Sequence, residues 1–343
     1  MSDQAVHLDT RWPVVGHEWA VRLLSHAIQN GRLSHAYLVT GPAGVGKATL
    51  ARAFAQALQC ETPDPAARPC GACRSCELTA AARHPDVFWV EPPSADRAIS
   101  IDQIRELQHH ATLSPVEGRW KVLIVRDADR ATLHAANALL KTLEEPPPHV
   151  ILILTAPMRD ALLPTIVSRC QVLALRPLPT SLVEDALIRQ WNVSAEEAAL
   201  WSRLSGGRLG AALALRDDEG IRGQRAEWLS MLQSVMAGDE LARFEAAETV
   251  ATGGSEVATQ LLSLWLSWWR DVLLTQAGCG EEIAHIDQRS MIARAASTLT
   301  RKEVLDILSL LRDTLDYIQA NGNVRLGLEA CFLHLPQAEL GLT

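Results

Sequence analysis

Residues 35–58, HAYLVTGPAGVGKATLARAFAQAL, constrain the chain more than any other stretch. HAYLVTG (35–41) reads as a short buried strand and ATLARAFAQAL (48–58) as the helix that follows. A strand that runs through a Gly-rich loop into a helix is an α/β device. Its loop N–H groups point inward, and the helix N-terminus adds positive potential, so together they cradle phosphate. Gly41, Gly46 and Lys47 complete Gly-x-x-x-x-Gly-Lys. Gly44 and Gly46 let the backbone curl without Cβ clashes, and Lys47 is placed to meet outer phosphates. The next position, where a hydroxyl would hold magnesium, is Ala48. Thr49 does not simply replace it, because one residue along a helix turns the side chain by about 100°. A Gly-rich turn with no ligand is the alternative reading of the same residues.

Further apolar runs fall at 87–90 (VFWV), 121–125 (KVLIV) and 150–154 (VILIL). They alternate with helices expected at about 101–113, with Ser100 as N-cap, at 131–145, and near 160–167. Pro146, Pro147 and Pro148 close the middle one. Strands apolar on both faces, alternating with helices, predict a parallel sheet covered on both sides. After RPLPT (176–180) only helical patterns follow, broken at Gly206-Gly207. The expected organisation is an α/β domain over 1–176, a small helical domain over 177–217 and a helical domain over 218–343. Trp265, Trp268, Trp269 and Val272 share one helix face, read as core, with an oligomer contact as the alternative.

The chain has seven cysteines, and four fall within 17 residues: Cys60, Cys70, Cys73 and Cys76, spaced C-x9-C-x2-C-x2-C. No signal peptide or membrane span is expected. The most apolar stretch, 261–274, is too short and contains Arg270 and Asp271. A cytoplasmic chain keeps its thiols reduced, so the cluster points to metal and not to disulfides. Four thiolates match tetrahedral zinc and leave no open position, which makes a zinc module at 60–76 structural. The net charge of −8 gives the surface no overall call on DNA.

Two shorter stretches bear on chemistry. In LIVRDADR (123–130) the third strand runs into Arg126-Asp127, a cation where a nucleotide motor needs a metal-supporting carboxylate. Asp127 and Asp129 read as surface caps for the following helix. SRC (168–170) follows the fourth strand and its short helix. Taken alone, Arg169 reads as a surface residue and Cys170 as a small buried hydrophobe.

RLSHAYLVTGPAGVGK, PCGACRSC, NALLKTLEEPP and SRC, in this order and spacing, resemble the bacterial DNA polymerase III clamp-loader family. The resemblance covers roughly residues 16–176. It implies an AAA+ fold, with a RecA-like α/β domain, a three-helix lid and a helical collar that joins five subunits in an open ring. Two subunit types share this layout, the gamma/tau motor and delta prime. Ala48, Arg126, Ala156-Pro157 and Gly210 stand where the motor has its hydroxyl, its Asp-Glu, its Thr-Thr sensor and its lid arginine. The resemblance is therefore to delta-prime subunits. It implies a chain that does not itself hydrolyse ATP, within a DNA-directed DNA polymerase holoenzyme. Arg169 would be an arginine finger given to a neighbour's ATP site. The implied partners are the gamma/tau and delta subunits, with the sliding clamp and primer-template DNA met through the complex. Binding of ATP or ADP by the degenerate loop stays open. The competing readings are an active gamma/tau-like ATPase using Thr49 and Asp127, and a zinc-bearing DNA-binding protein with a decayed phosphate loop. The lack of a basic, aromatic-interleaved strip argues against the last.

Overall fold

The structure is a computed structural model that describes residues 11–94 and 97–338. The chain divides into two units, one of Met1–Ala186 with Gly207–Ala211, the other of Leu187–Gly206 with Ala212–Thr343.

The first unit is built on a five-stranded sheet: β1 (Ala36–Thr40), β2 (Val87–Val90), β3 (Lys121–Val125), β4 (Val150–Ala156) and β5 (Gln171–Ala174). All pairings are parallel and the order is β2-β3-β4-β1-β5. Its helices are α1 (Glu18–Gln29), α2 (Lys47–Gln59), α3 (Arg74–Ala80), α4 (Ile101–Thr112), α5 (Leu133–Glu144) and α6 (Pro164–Val167). Successive strand residues point to opposite faces. Tyr37, Val39, Val122, Ile124, Ile151 and Ile153 therefore pack with Leu24 of α1 and Leu50 and Phe54 of α2. Leu38, Leu123, Val125, Leu152 and Leu154 pack with Ile104 and Leu107 of α4 and Leu139 and Leu143 of α5. Two apolar faces are what makes these strands read as unbroken hydrophobic runs.

The expectation of four strands is corrected to five. In β5 only Leu173 is buried, while Gln171, Val172 and Ala174 are exposed. An edge strand with one buried residue carries no apolar run. Helix α1 also goes beyond the expected set. Helix α4 begins as expected, with Ser100 and Gln103 forming a reciprocal capping box. At the base of the sheet, the Lys121 Nζ donates to the Asp86 carboxylate at 3.0 Å, and both side chains are buried. The same carboxylate accepts the N–H groups of Val116, Glu117 and Gly118 at 2.8 Å each.

The described residues beyond β5 form helices: α7 (Thr180–Trp191), α8 (Ala195–Leu204), α9 (Leu209–Asp217), α10 (Glu219–Ala237), α11 (Glu240–Thr252), α12 (Gly254–Gln276), α13 (Arg289–Thr298), α14 (Arg301–Gln319) and α15 (Val324–His334). Trp265, Trp268 and Trp269 of α12 are fully buried in the core of the second unit. The face read as core is core. Trp265 donates its indole N–H to the Trp228 carbonyl at 3.0 Å. No helix among the described residues is long and apolar enough to cross a membrane.

Candidate functional site

The Gly-rich loop turns between β1 and α2, with φ at 146° for Gly41, 78° for Gly44 and 107° for Gly46. These values lie in the region that favours glycine. Lys47 opens α2 but folds back on its own loop, donating to the Gly41 carbonyl at 2.7 Å and the Pro42 carbonyl at 3.1 Å. Burial lowers its pKa, and the charges of Asp127 and Asp129 work against that fall. Thr49 is exposed on α2. The segment Gly207–Ala211 covers the other side of the loop, where the Gly210 N–H donates to the Gly44 carbonyl at 2.8 Å. A Cβ at Gly210 would lie 2.9 Å from that oxygen, so this arrangement has no room for a side chain at position 210.

Beyond β3, Arg126 donates to Glu91 at 3.1 Å and lies 3.5 Å from the Asp127 carboxylate. Asp127 sits at φ 49°, its N–H bonded to the Thr155 hydroxyl at 2.9 Å. Neither Asp127 nor Asp129 caps the following helix, which corrects that expectation. A single turn over Ala128–Arg130 intervenes, and Thr132 caps α5 by accepting the Ala135 N–H. Asp129 is half-buried, with one carboxylate oxygen buried and unpartnered, and burial raises its pKa.

The structure brings Cys60, Cys70, Cys73 and Cys76 together, with all four sulfurs within 4.8 Å of one another. Cys70 Sγ and Cys76 Sγ are 4.0 Å apart. Tetrahedral Zn–S bonds of about 2.3 Å would place sulfurs about 3.8 Å apart, so the spacing fits a metal ion. Backbone N–H groups of Cys70, Cys73 and Cys76 point at Cys60, Cys70 and Cys73 Sγ, at 3.4, 3.3 and 3.4 Å. Such donors favour thiolate. Hydrogen bonds from Thr62 and the Ala72 backbone bring the Cys70 thiol down to about 6, while burial pushes Cys76 up. A bound cation resolves that conflict by favouring thiolate at every position. Glu61 braces the cluster, accepting both the N–H and the hydroxyl of Ser75 at 3.1 and 2.8 Å. In addition, Gln56 donates to the Cys76 carbonyl at 3.0 Å.

Arg169 lies just past α6, apart from these groups in sequence. Its Nη1 donates to the Thr165 carbonyl at 3.0 Å and its Nη2 to Glu144 at 2.9 Å. Its side chain stays 36% exposed. Burial pushes the neighbouring Cys170 thiol up to about 12, in keeping with an inert packing residue.

A family model described as DNA polymerase III, delta subunit, matches residues 16–179. The chain is 36% identical over 280 residues to the DNA polymerase III subunit delta' of Pseudomonas aeruginosa, covering 80% of this chain and 83% of that protein. It is 31% identical over 319 residues to the subunit delta' of Bacillus subtilis, covering 92% and 95%. The chain belongs to the DNA polymerase III delta-prime family, within the AAA+ clamp-loader class.

A gamma/tau subunit of Mycobacterium tuberculosis is 35% identical over 289 residues, but the match spans 77% of this chain and only 49% of that protein. The delta-prime relatives are thus matched over most of their length, the gamma/tau relative over half. Two features of this delta-prime-family chain escaped sequence reasoning. The pairing of Glu144 with Arg169 had no signal, since the residues lie 25 apart and charges at helix ends read as solvated. The contact between Gly210 and Gly44 had a weak one, the smallness of both residues.

Proposed function

We propose that this chain is the non-hydrolysing member of a clamp-loader ring and gives Arg169 to the ATP site of a neighbouring ATPase subunit. The carrying observation is the contrast between two sites. The chain's own loop lacks the hydroxyl at Ala48, the carboxylate at Arg126, the sensor pair at Ala156-Pro157 and the lid arginine at Gly210. Meanwhile Arg169 keeps a guanidinium that is held yet partly exposed. A guanidinium stabilises charge on a transferring phosphoryl group and can come from another chain. Gly41, Gly44, Gly46 and Lys47 then serve the fold of the loop, and Lys47 is already satisfied by its carbonyls. The gamma/tau-like reading needs Thr49 and Asp127 as metal ligands, but Thr49 is exposed and Asp127 lies beside Arg126.

In this reading residues 1–176 form the AAA+ domain, 177–217 a lid and 218–343 a collar for assembly. Cys60, Cys70, Cys73 and Cys76 hold one structural zinc. The partners are gamma/tau and delta subunits, and the sliding clamp and primer-template DNA are met through the complex, in the cytoplasm. Arg169→Ala should fold, bind zinc and join the ring, but lower DNA-stimulated ATP hydrolysis and clamp loading by the assembly. Arginine fingers are worth about 10³ to 10⁵ in rate, and a ring with several sites shows less because only one loses its finger. Arg169→Lys should rescue poorly, since an ammonium lacks the planar fork. Steady-state ATPase of the reconstituted complex at matched assembly is the test. Equal rates with and without the arginine would sink the reading.

A further inference from the structure

We infer that Glu144 is the positioning residue that fixes the Arg169 guanidinium for use by a neighbouring site, an inference that rests on the trans-arginine reading above. Glu144 is the last residue of α5, and its carboxylate accepts from Arg169 Nη2 at 2.9 Å. The Thr165 carbonyl takes Nη1 at 3.0 Å. The two acceptors bond different terminal nitrogens, so together they set the plane of the guanidinium, which one acceptor alone does not. Two of its five N–H donors are engaged by these acceptors, and the rest of the fork remains for phosphate oxygens.

Both anchors are themselves held. Leu139, Thr142 and Leu143 of α5 are buried, and Gln108 of α4 donates to the Ala138 carbonyl at 2.8 Å and to the Thr142 hydroxyl at 3.3 Å. Pro146, Pro147 and Pro148 end the helix directly beyond Glu145. On the arginine side, the Arg169 N–H bonds the Ile166 carbonyl at 3.1 Å. Helix dipoles disfavour a carboxylate at a carboxyl end. Glu144 nonetheless stands there, and the guanidinium beside it offsets the cost. Pairing at such exposure adds little to fold stability, with side chains 36% and 52% exposed. Its consequence is the orientation of the guanidinium.

The test uses the reconstituted complex carrying wild-type chain, Glu144→Ala, Glu144→Gln, Arg169→Ala or the double substitution Glu144→Ala/Arg169→Ala. Equal assembly is confirmed by size, and kcat and KM for ATP are measured with DNA present. Glu144→Ala should lower the Arg169-dependent part of kcat by about two- to five-fold, the scale of an exposed ion pair, and leave KM unchanged. Glu144→Gln, which keeps an acceptor, should recover part of the loss. The double substitution should match Arg169→Ala alone, because a positioning residue has no effect once its arginine is gone. Wild-type or raised rates in Glu144→Ala, with Arg169→Ala still impaired, would overturn the positioning role and leave the finger standing. A double substitution worse than Arg169→Ala would assign Glu144 to another task and also overturn it. Full activity of Arg169→Ala would remove the finger and this inference together.

Discussion

The cysteine module and the phosphate loop flank the same helix, α2, and have kept different things. The module retains every donor that its chemistry needs, with four sulfurs drawn together and backbone N–H groups aimed at three of them. The loop retains its glycine geometry and its lysine, while Ala48 and Arg126 stand where metal handling requires a hydroxyl and a carboxylate. A metal that holds a fold depends on every ligand, whereas a loop that only shapes a fold can dispense with its magnesium. In the proposed reading, Arg169, on a third segment, is the group that serves reaction chemistry, in a neighbour's site.

Breaking the module should have the largest effect. Elemental analysis should find one zinc per chain, and Cys73→Ser should release it. The scale is set by structural zinc sites in small peptides, where binding is worth about 10–16 kcal/mol at neutral pH and much of it is folding free energy. Hydrogen exchange should rise over 60–85 more than in the sheet, and full metal occupancy in the variant would show the ligand assignment to be wrong.

The support beneath the module comes next. Arg74 of α3 lies 3.2 Å from Glu117, whose N–H is held by Asp86, and Asp86 pairs with buried Lys121. Asp86→Ala should cost about 3–5 kcal/mol, since it strands a buried ammonium. Burial alone would raise the Asp86 pKa, but the N–H groups of Gly118, Val116 and Glu117 together with Lys121 outweigh it and bring the value down to about 2. With the folded value below the unfolded one, this stabilisation is full above the unfolded pKa near 3.8 and is lost as pH falls through about 2. Chemical denaturation of the wild type should weaken across that window, and Asp86→Asn should lack this component of the acid dependence.

On the loop side, smaller effects are expected, and on stability alone. Gly44 has φ of 78°, and a Cβ there would lie 2.9 Å from the Ala211 nitrogen. Gly44→Ala should cost about 1–3 kcal/mol, seen by thermal unfolding, while the assembled complex keeps its ATPase. A fall in ATPase at matched assembly would mean that the loop still does chemistry. The smallest expected effect is none: the isolated chain should hydrolyse ATP no faster than its Lys47→Ala variant in a sensitive phosphate-release assay.

What could be read from sequence follows from burial and range. Strands β1, β3 and β4 are buried at every residue and announce themselves as apolar runs, whereas β5 buries Leu173 alone and does not. The cysteine cluster was legible because its ligands lie close in the chain. Asp127 and Asp129 look like caps in sequence because Asp and Thr are both good N-caps, and the turn at Ala128–Arg130 moves the cap to Thr132 and the helix start to Leu133. Glu144 was invisible, because its meaning depends on a partner brought to it by α6 after a crossover through β4.

The central claim is that this chain gives a group to another subunit's site and runs none of its own. The most direct measurement is a paired one, comparing Lys47→Ala and Arg169→Ala in the same reconstituted complex at matched assembly, by DNA-stimulated ATP hydrolysis. The account predicts that Lys47→Ala leaves the rate at the wild-type level and that Arg169→Ala lowers it. A lowered rate in Lys47→Ala together with an unchanged rate in Arg169→Ala would contradict it.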